Sequence, residues 1–328
     1  MGTNLPFLLA PAAKDYLWGG SRLNDDFAKG IELSPLAETW ECSTHPDGQS
    51  RVAATGEKLG DLLAAHPSYL GTHPLTTTGG RAELPILIKL IDACRDLSVQ
   101  VHPDDDFARV HENSLGKTEM WYVLAAKKDA EIVYGFSRDM KPGEIRRALR
   151  AGTIGNCLNH IPVHKDDLFY VEAGTVHAIG AGVLLAEIQE NSNITYRLYD
   201  YDRVDKNGKK RELHVEKALQ AAKLSSSNTP RQPLRTLRYS KGCARELLCR
   251  CRYFQVERLL LNTEIHRALT DYRTGMNSFH ALLCTDGCGV LFGEGFMLNF
   301  FKGDCIFVPA ESIPLKLHGR AQLLDVSC

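Results

Sequence analysis

No run in this 328-residue sequence stays apolar long enough to span a bilayer, no cluster of Lys or Arg marks a nucleic-acid face, and no basic residue precedes the apolar N-terminal segment MGTNLPFLLAPAA. The first absence argues against an integral membrane helix. The second removes the electrostatic footprint of a general nucleic-acid binder, and the formal net charge of −1 agrees with it, so any anionic partner is expected to be small. The third leaves a poor signal peptide, and Pro6 spoils the myristoylation pattern. The ten cysteines are scattered, and pairs such as Cys249 and Cys251 or Cys284 and Cys288 match no common zinc spacing. They read as reduced structural thiols in a cytoplasmic protein.

The 44% hydrophobic content can fill one large core or two smaller ones, and the length favours two. Glycines and prolines separate short β-rich runs, among them LPILIKLID, LSVQVH, EMWYVLAA, AEIVYGF, DLFYVEA and GVLLAEIQ. Such spacing predicts an antiparallel barrel or sandwich. Helical insertions are expected at about 54–75, 103–115, 141–160 and 212–224, with His160 and His164 in a long loop after the KPGEIRRALRAG helix. The polar, helix-breaking SSSNTPRQP marks a boundary, giving a first domain over 1–232 and a second over 233–328.

The segment LSVQVHP carries the chemistry. On a strand, Ser98, Gln100 and His102 leave on one face, Val99 and Val101 on the other, and Pro103 ends the run. A lone strand histidine is ordinarily a hydrogen-bonded structural residue; partners change that reading. They are Glu119, where a strand begins in GKTEMWYV, and His177, after the small-residue turn of DLFYVEAGTVHAIG. Two imidazoles, one carboxylate and the Gln100 carbonyl suit zinc or another first-row divalent ion. No cysteine lies in these segments, which argues against a purely structural zinc, and a single carboxylate would leave the ion cationic enough to act as a Lewis acid. Lys117, two residues before Glu119, reaches the same face if the strand has begun there. Farther on, FKGDCIFVPAESIPLKL lays onto HKDDLFYVEAGTVHAIG, so that Asp304 matches Asp167 and Pro314 falls where His177 stands. A second barrel without the metal is expected.

Histidine, carboxylate and histidine on facing strands are the pattern of cupin jelly rolls, a fold that hosts many functions. The motifs AETWECSTHPDG, LSVQVHPDD, GKTEMWY, AGTVHAIG and TYRLYDYDR, in this order, go further: the sequence resembles the type I mannose-6-phosphate isomerases of the short bacterial kind, from YLWGG at 16–20 to ELH at 212–214. The resemblance implies a mainly β, double jelly-roll cupin protein with helical insertions and one Zn2+ per chain, interconverting mannose 6-phosphate and fructose 6-phosphate through a cis-enediol. It carries the metal onto Gln100, His102, Glu119 and His177. It places Arg197, Lys117 and Glu187 in catalytic roles, with Trp18 and Glu38 at the sugar and Lys89 and Ser98 near the phosphate. Many relatives carry Asp where this chain has Asn193, which speaks against a catalytic base there. The implied partner is a small sugar phosphate, with no nucleic acid or membrane, for a monomer or homodimer. The alternatives are a cupin iron or manganese oxygenase, since two histidines and a carboxylate also form an oxygen-activating triad, and a sugar-phosphate-binding cupin without turnover.

Overall fold

The computed structural model describes residues 4–328 apart from 205–207, 229, 231 and 233–234. Residues 1–3, and the expected domain junction where it enters residue 233, lie outside the described residues. The described strands form three antiparallel sheets. A six-stranded sheet runs in the order Leu168–Val171, Glu119–Ala126, Val183–Glu190, Ile86–Asp92, Glu38–Cys42, Ala12–Lys14. Opposite one face stands a five-stranded sheet, Tyr196–Tyr199, Val99–Val101, His177–Ile179, Glu131–Phe136, Leu158–Pro162. The ten-stranded sheet, drawn mostly from the C-terminal part, covers the other.

The central position of Ile86–Asp92 explains why ILIKLID does not alternate apolar with polar. Every residue in it is buried. Ile86, Ile88 and Leu90 pack with Phe279, Phe307 and Val326 of the ten-stranded sheet, whereas Ile91 packs with Ile132, Ile161 and Ile179 of the five-stranded one. A strand buried on both faces needs apolar residues at both parities. Lys89 shares the parity of Ile91 and so faces the interior between the six- and five-stranded sheets. The neighbouring strands divide likewise: Met120 and Tyr122, and Ala186 and Ile188, join the core shared with the C-terminal part, which leaves Glu119, Trp121 and Glu187 to the interior.

Helices Leu59–Ala65, Asp105–Glu112, Pro142–Arg150 and Val215–Ala221 fall inside the four expected insertions. The second is capped by Asp104, whose carboxylate accepts from Phe107 N at 2.9 Å. Two features differ from expectation. His160 lies on the edge strand Leu158–Pro162 rather than in a loop, because this segment pairs with Glu131–Phe136, and its Nδ1 meets Glu131 Oε1 at 2.6 Å. Phe7–Ala10 hydrogen-bonds to Cys305–Val308, and Arg51–Val52 pairs with it in turn, so the early chain supplies two strands to the C-terminal sheet.

The internal copy extends to the backbone. Asp304 Oδ2 accepts from Phe301 N at 2.8 Å, as Asp167 Oδ2 does from His164 N at 2.7 Å. Positive φ recurs at matching positions, Gly303 (100°) with Asp166 (72°) and Glu311 (51°) with Gly174 (86°). Both copies therefore make the same two tight turns around one strand, Cys305–Val308 or Leu168–Val171.

Glu190 leaves the Val183–Glu190 strand toward the C-terminal part and accepts from Thr118 N at 2.7 Å. Burial raises its pKa to about 8, aided by Asp105 and opposed by the Thr118 amide. A carboxyl raised in the fold contributes stability that is present below the ordinary carboxylate range and lost as pH rises through the folded value. Glu190→Gln is therefore expected to melt above the wild type at about pH 9 and to lose that advantage near pH 5. Equal differences at both pH values, read by calorimetry, would contradict a protonated Glu190.

Candidate metal centre and substrate cavity

Strand pairing brings the predicted ligands together. His177 is the register partner of Gln100, and Arg197 pairs with Gln100 from the other side. Glu119, at the start of its strand in the facing sheet, completes the group: its Oε1 lies 3.4 Å from His177 Nε2 and its Oε2 3.5 Å from His102 Nε2. The ligating atoms of His102, Glu119 and His177 all fall within 4.8 Å of one another. Gln100 reaches His177 Nε2 through its amide at 3.5 Å.

The donor set fits a divalent cation. His102 Nδ1 lies 2.7 Å from the Ile194 carbonyl and His177 Nδ1 2.9 Å from that of Thr175; each carbonyl accepts the Nδ1 proton, which leaves Nε2 with a free lone pair. Burial pushes the His177 pKa down to about 4 and, with Lys117 and His177 beside it, holds His102 well below the usual imidazole range. Both rings are neutral at pH 7, the form that binds metal. Glu119 is fully buried, and its Oε1 has no hydrogen-bond partner. An orphaned carboxylate oxygen 3.4 Å from His177 Nε2, with His102 Nε2 beside the carboxylate's other oxygen, is what a cation would satisfy.

Above the cage lies a cavity of about 260 Å³ lined by Trp18, Glu38, Lys89, Ser98, Gln100, Lys117, Glu187 and Arg197, so every non-ligand site residue singled out from the sequence opens onto one space. Lys117 joins cage to cavity: its Nζ donates to Glu119 Oε2, lies 3.0 Å from His102 Nε2 and stands 3.9 Å from Glu187 Oε1. Lys89 lies 3.2 Å from Glu187 and 3.6 Å from Glu38. Burial disfavours its charge, but the two carboxylates win and hold its pKa above the usual lysine range. They already satisfy Lys89, so it does not require the phosphate that the sequence suggested.

At the mouth, Arg197 Nε donates to Ser98 Oγ at 3.3 Å, and Arg211 is held to Asp200 by two hydrogen bonds, of 2.8 and 2.5 Å. Asn193 donates to Asp47 at 2.8 Å. Sequence reasoning missed Tyr16, Thr195 and Arg211 of the lining, and Trp121 beneath it. Trp121 was legible, since it follows Glu119 by two on a strand. Arg211 adjoins the ELH at 212–214 where the resemblance ends.

Comparison with known proteins bears on this geometry. Residues 7–134 match the family described as phosphomannose isomerase type I, catalytic domain. The mannose-6-phosphate isomerase ManA of Bacillus subtilis (strain 168) is 36% identical over 326 residues, covering 98% of each chain. This chain belongs to the mannose-6-phosphate isomerase family. The likeness to ManA continues through the C-terminal third, beyond the motifs at 16–214. A crystal structure of the Bacillus subtilis mannose 6-phosphate isomerase superposes with a TM-score of 0.88 at 33% identity, covering 98% of this chain and 99% of that one. A zinc-bound mannose 6-phosphate isomerase structure shares the fold at 17% identity, with a TM-score of 0.74 and 98% of each chain covered. No helix among the described residues is long and apolar enough to cross a membrane.

Proposed function

We propose that this chain is a zinc-dependent isomerase that interconverts mannose 6-phosphate and fructose 6-phosphate, with Gln100, His102, Glu119 and His177 holding the ion. One observation carries the reading: two neutral imidazoles and an orphaned buried carboxylate adjoin a Lys117–Glu187 pair in a single sugar-sized cavity. Zinc suits nitrogen and oxygen donors, and one family structure of the same fold is a zinc-bound form. When bound, the ion would act as a Lewis acid for the oxygens at C1 and C2 and spread the negative charge of the enediolate.

The chain's own residues do the rest. Arg197, Arg211 and Ser98 form the cationic, hydrogen-bonding end of the cavity and take the phosphate. Ser98 and Gln100 leave one strand face together, and Ser98 Oγ donates to Gln100 Oε1 at 3.2 Å, so the phosphate end of the cavity adjoins the ligand end. Trp18 and Glu38 bound the sugar's flank. Glu187 or Lys117 takes the C2 proton as O1 is protonated, forming the cis-enediol, and returns it to C1 as O2 gives up its hydroxyl proton, so both protons move from the C2 side to the C1 side. Lys89, fixed between Glu38 and Glu187, keeps Glu187 ionised and able to accept. All ten cysteines are free thiols, in keeping with the reducing cytoplasm where sugar phosphates occur.

Incubation with mannose 6-phosphate tests the reading: fructose 6-phosphate is the expected product, with solvent deuterium at C1 when the reaction runs in deuterated water. Oxygen consumption with bound iron would favour an oxygenase, and binding without product a sensor. Arg211→Met is expected to raise KM for mannose 6-phosphate by roughly 10- to 100-fold, the worth of one hydrogen bond to a charged group, and to change kcat less. A KM unmoved in steady-state assays would remove Arg211 from the phosphate end.

A further inference from the structure

Four side chains stand in one cross-strand row through the middle of the six-stranded sheet. Trp40 is the register partner of Lys89, Lys89 of Glu187, and Glu187 of Trp121. The row reads aromatic, cation, anion, aromatic. Lys89 Nζ lies 5.0 Å from the centre of the Trp40 ring, its ammonium is 3.2 Å from Glu187 Oε2, and Trp121 Nε1 donates to Glu187 Oε1 at 3.1 Å. Each member is at most 4% exposed. The Trp121 ring meets His177 in a T-shaped contact, with centroids 5.4 Å apart and planes at 75°.

We propose that Trp121 is a positioning residue for the isomerisation: its indole N–H fixes the rotation of the Glu187 carboxylate and ties the proton carrier to the metal-site imidazole through one rigid ring. The inference rests on the proposed isomerase reading and adds to it a residue outside the ligand and proton-carrier set. Glu187 has two oxygens with different duties. Oε2 belongs to Lys89. Oε1 faces Lys117 at 3.9 Å, beyond hydrogen-bond reach, so the Trp121 N–H is the donor that holds Oε1 on the Lys117 side of the cavity. Without it the carboxylate is free to swing toward Lys89, and the distance from Oε1 to a bound sugar carbon is no longer set. Trp40 makes the equivalent bond to Glu38 Oε2 at 2.7 Å, so both carboxylates that flank Lys89 are oriented by an indole. A phenyl ring at 121 would keep an aromatic ring beside His177 and delete the donor, at the cost of a smaller side chain. Proton transfer depends steeply on such alignment, whereas phosphate binding at the opposite end does not.

Trp121→Phe is expected to lower kcat about tenfold or more, to leave KM for mannose 6-phosphate within a factor of about two, and to bind as much zinc as the wild type. Wild-type kcat in this variant, or a loss of kcat that follows a loss of bound zinc, overturns the proposal. A second measurement does not need that variant. In 15N-labelled protein the three tryptophans give three indole N–H signals, and Glu187→Gln, an isosteric change, is expected to move the Trp121 signal upfield as its partner loses charge. Three unmoved signals would likewise overturn it. A wild-type protein that makes no fructose 6-phosphate would sink the isomerase reading instead, while the indole signals would still report whether Trp121 holds Glu187.

Discussion

His177→Ala is expected to leave a folded protein that retains little metal and turns over mannose 6-phosphate about a thousandfold more slowly than the wild type, since Lewis-acid stabilisation contributes several kcal/mol and each 1.36 kcal/mol is a factor of ten in rate. The substitution removes one of two neutral imidazoles whose Nε2 atoms face Glu119. It also removes the donor to the Thr175 carbonyl and the ring against Trp121, so some stability is lost. Elemental analysis, circular dichroism and a coupled assay separate the outcomes. A variant with full metal content and unchanged kcat would mean that His177 is not a ligand.

Glu187→Gln differs in kind. The metal cage is untouched, because Glu187 contacts Lys89, Lys117 and Trp121 rather than the ligand atoms. Burial alone would raise the Glu187 pKa, but Lys117 and Lys89, with hydrogen bonds from Lys89 and Trp121, bring it well below the usual carboxylate range. The group is therefore a carboxylate at pH 7, ready to accept a proton. An amide cannot do so. A positioned base is worth roughly 10²–10⁴ in rate, and kcat is expected to fall by that factor with zinc content and KM nearly unchanged. Near-normal turnover in Glu187→Gln would shift the proton-carrying role to Lys117.

The convergence of His102, Glu119 and His177 was legible because strand geometry is periodic. Gln100 and His102 share a face by parity alone, and Glu119 and His177 each begin a strand after a glycine-bearing turn. The faded second copy was legible for a similar reason: turns that need positive φ leave marks in sequence, such as Gly303 opposite Asp166. What parity cannot give is partner choice. FLLA at 7–10 forms a strand, yet its pairing with Cys305–Val308 depends on contacts 300 residues away in sequence. Lys89 looked like an ammonium in search of a phosphate. Only the register of three strands shows that Glu38 and Glu187 reach it first. Arg211 enters the cavity from just before the ELH at 212–214 where the resemblance ends, held by Asp200 eleven residues earlier.

If Gln100, His102, Glu119 and His177 hold one divalent ion, turnover depends on it. Titrating zinc into chelator-treated protein while following fructose 6-phosphate formation tests it most directly. The expected result is an inactive starting point and activity that rises linearly to a plateau at one equivalent of zinc per chain, with Glu119→Gln failing to recover over the same range. Full turnover by the metal-depleted protein, or recovery by Glu119→Gln with the same stoichiometry as the wild type, would contradict it.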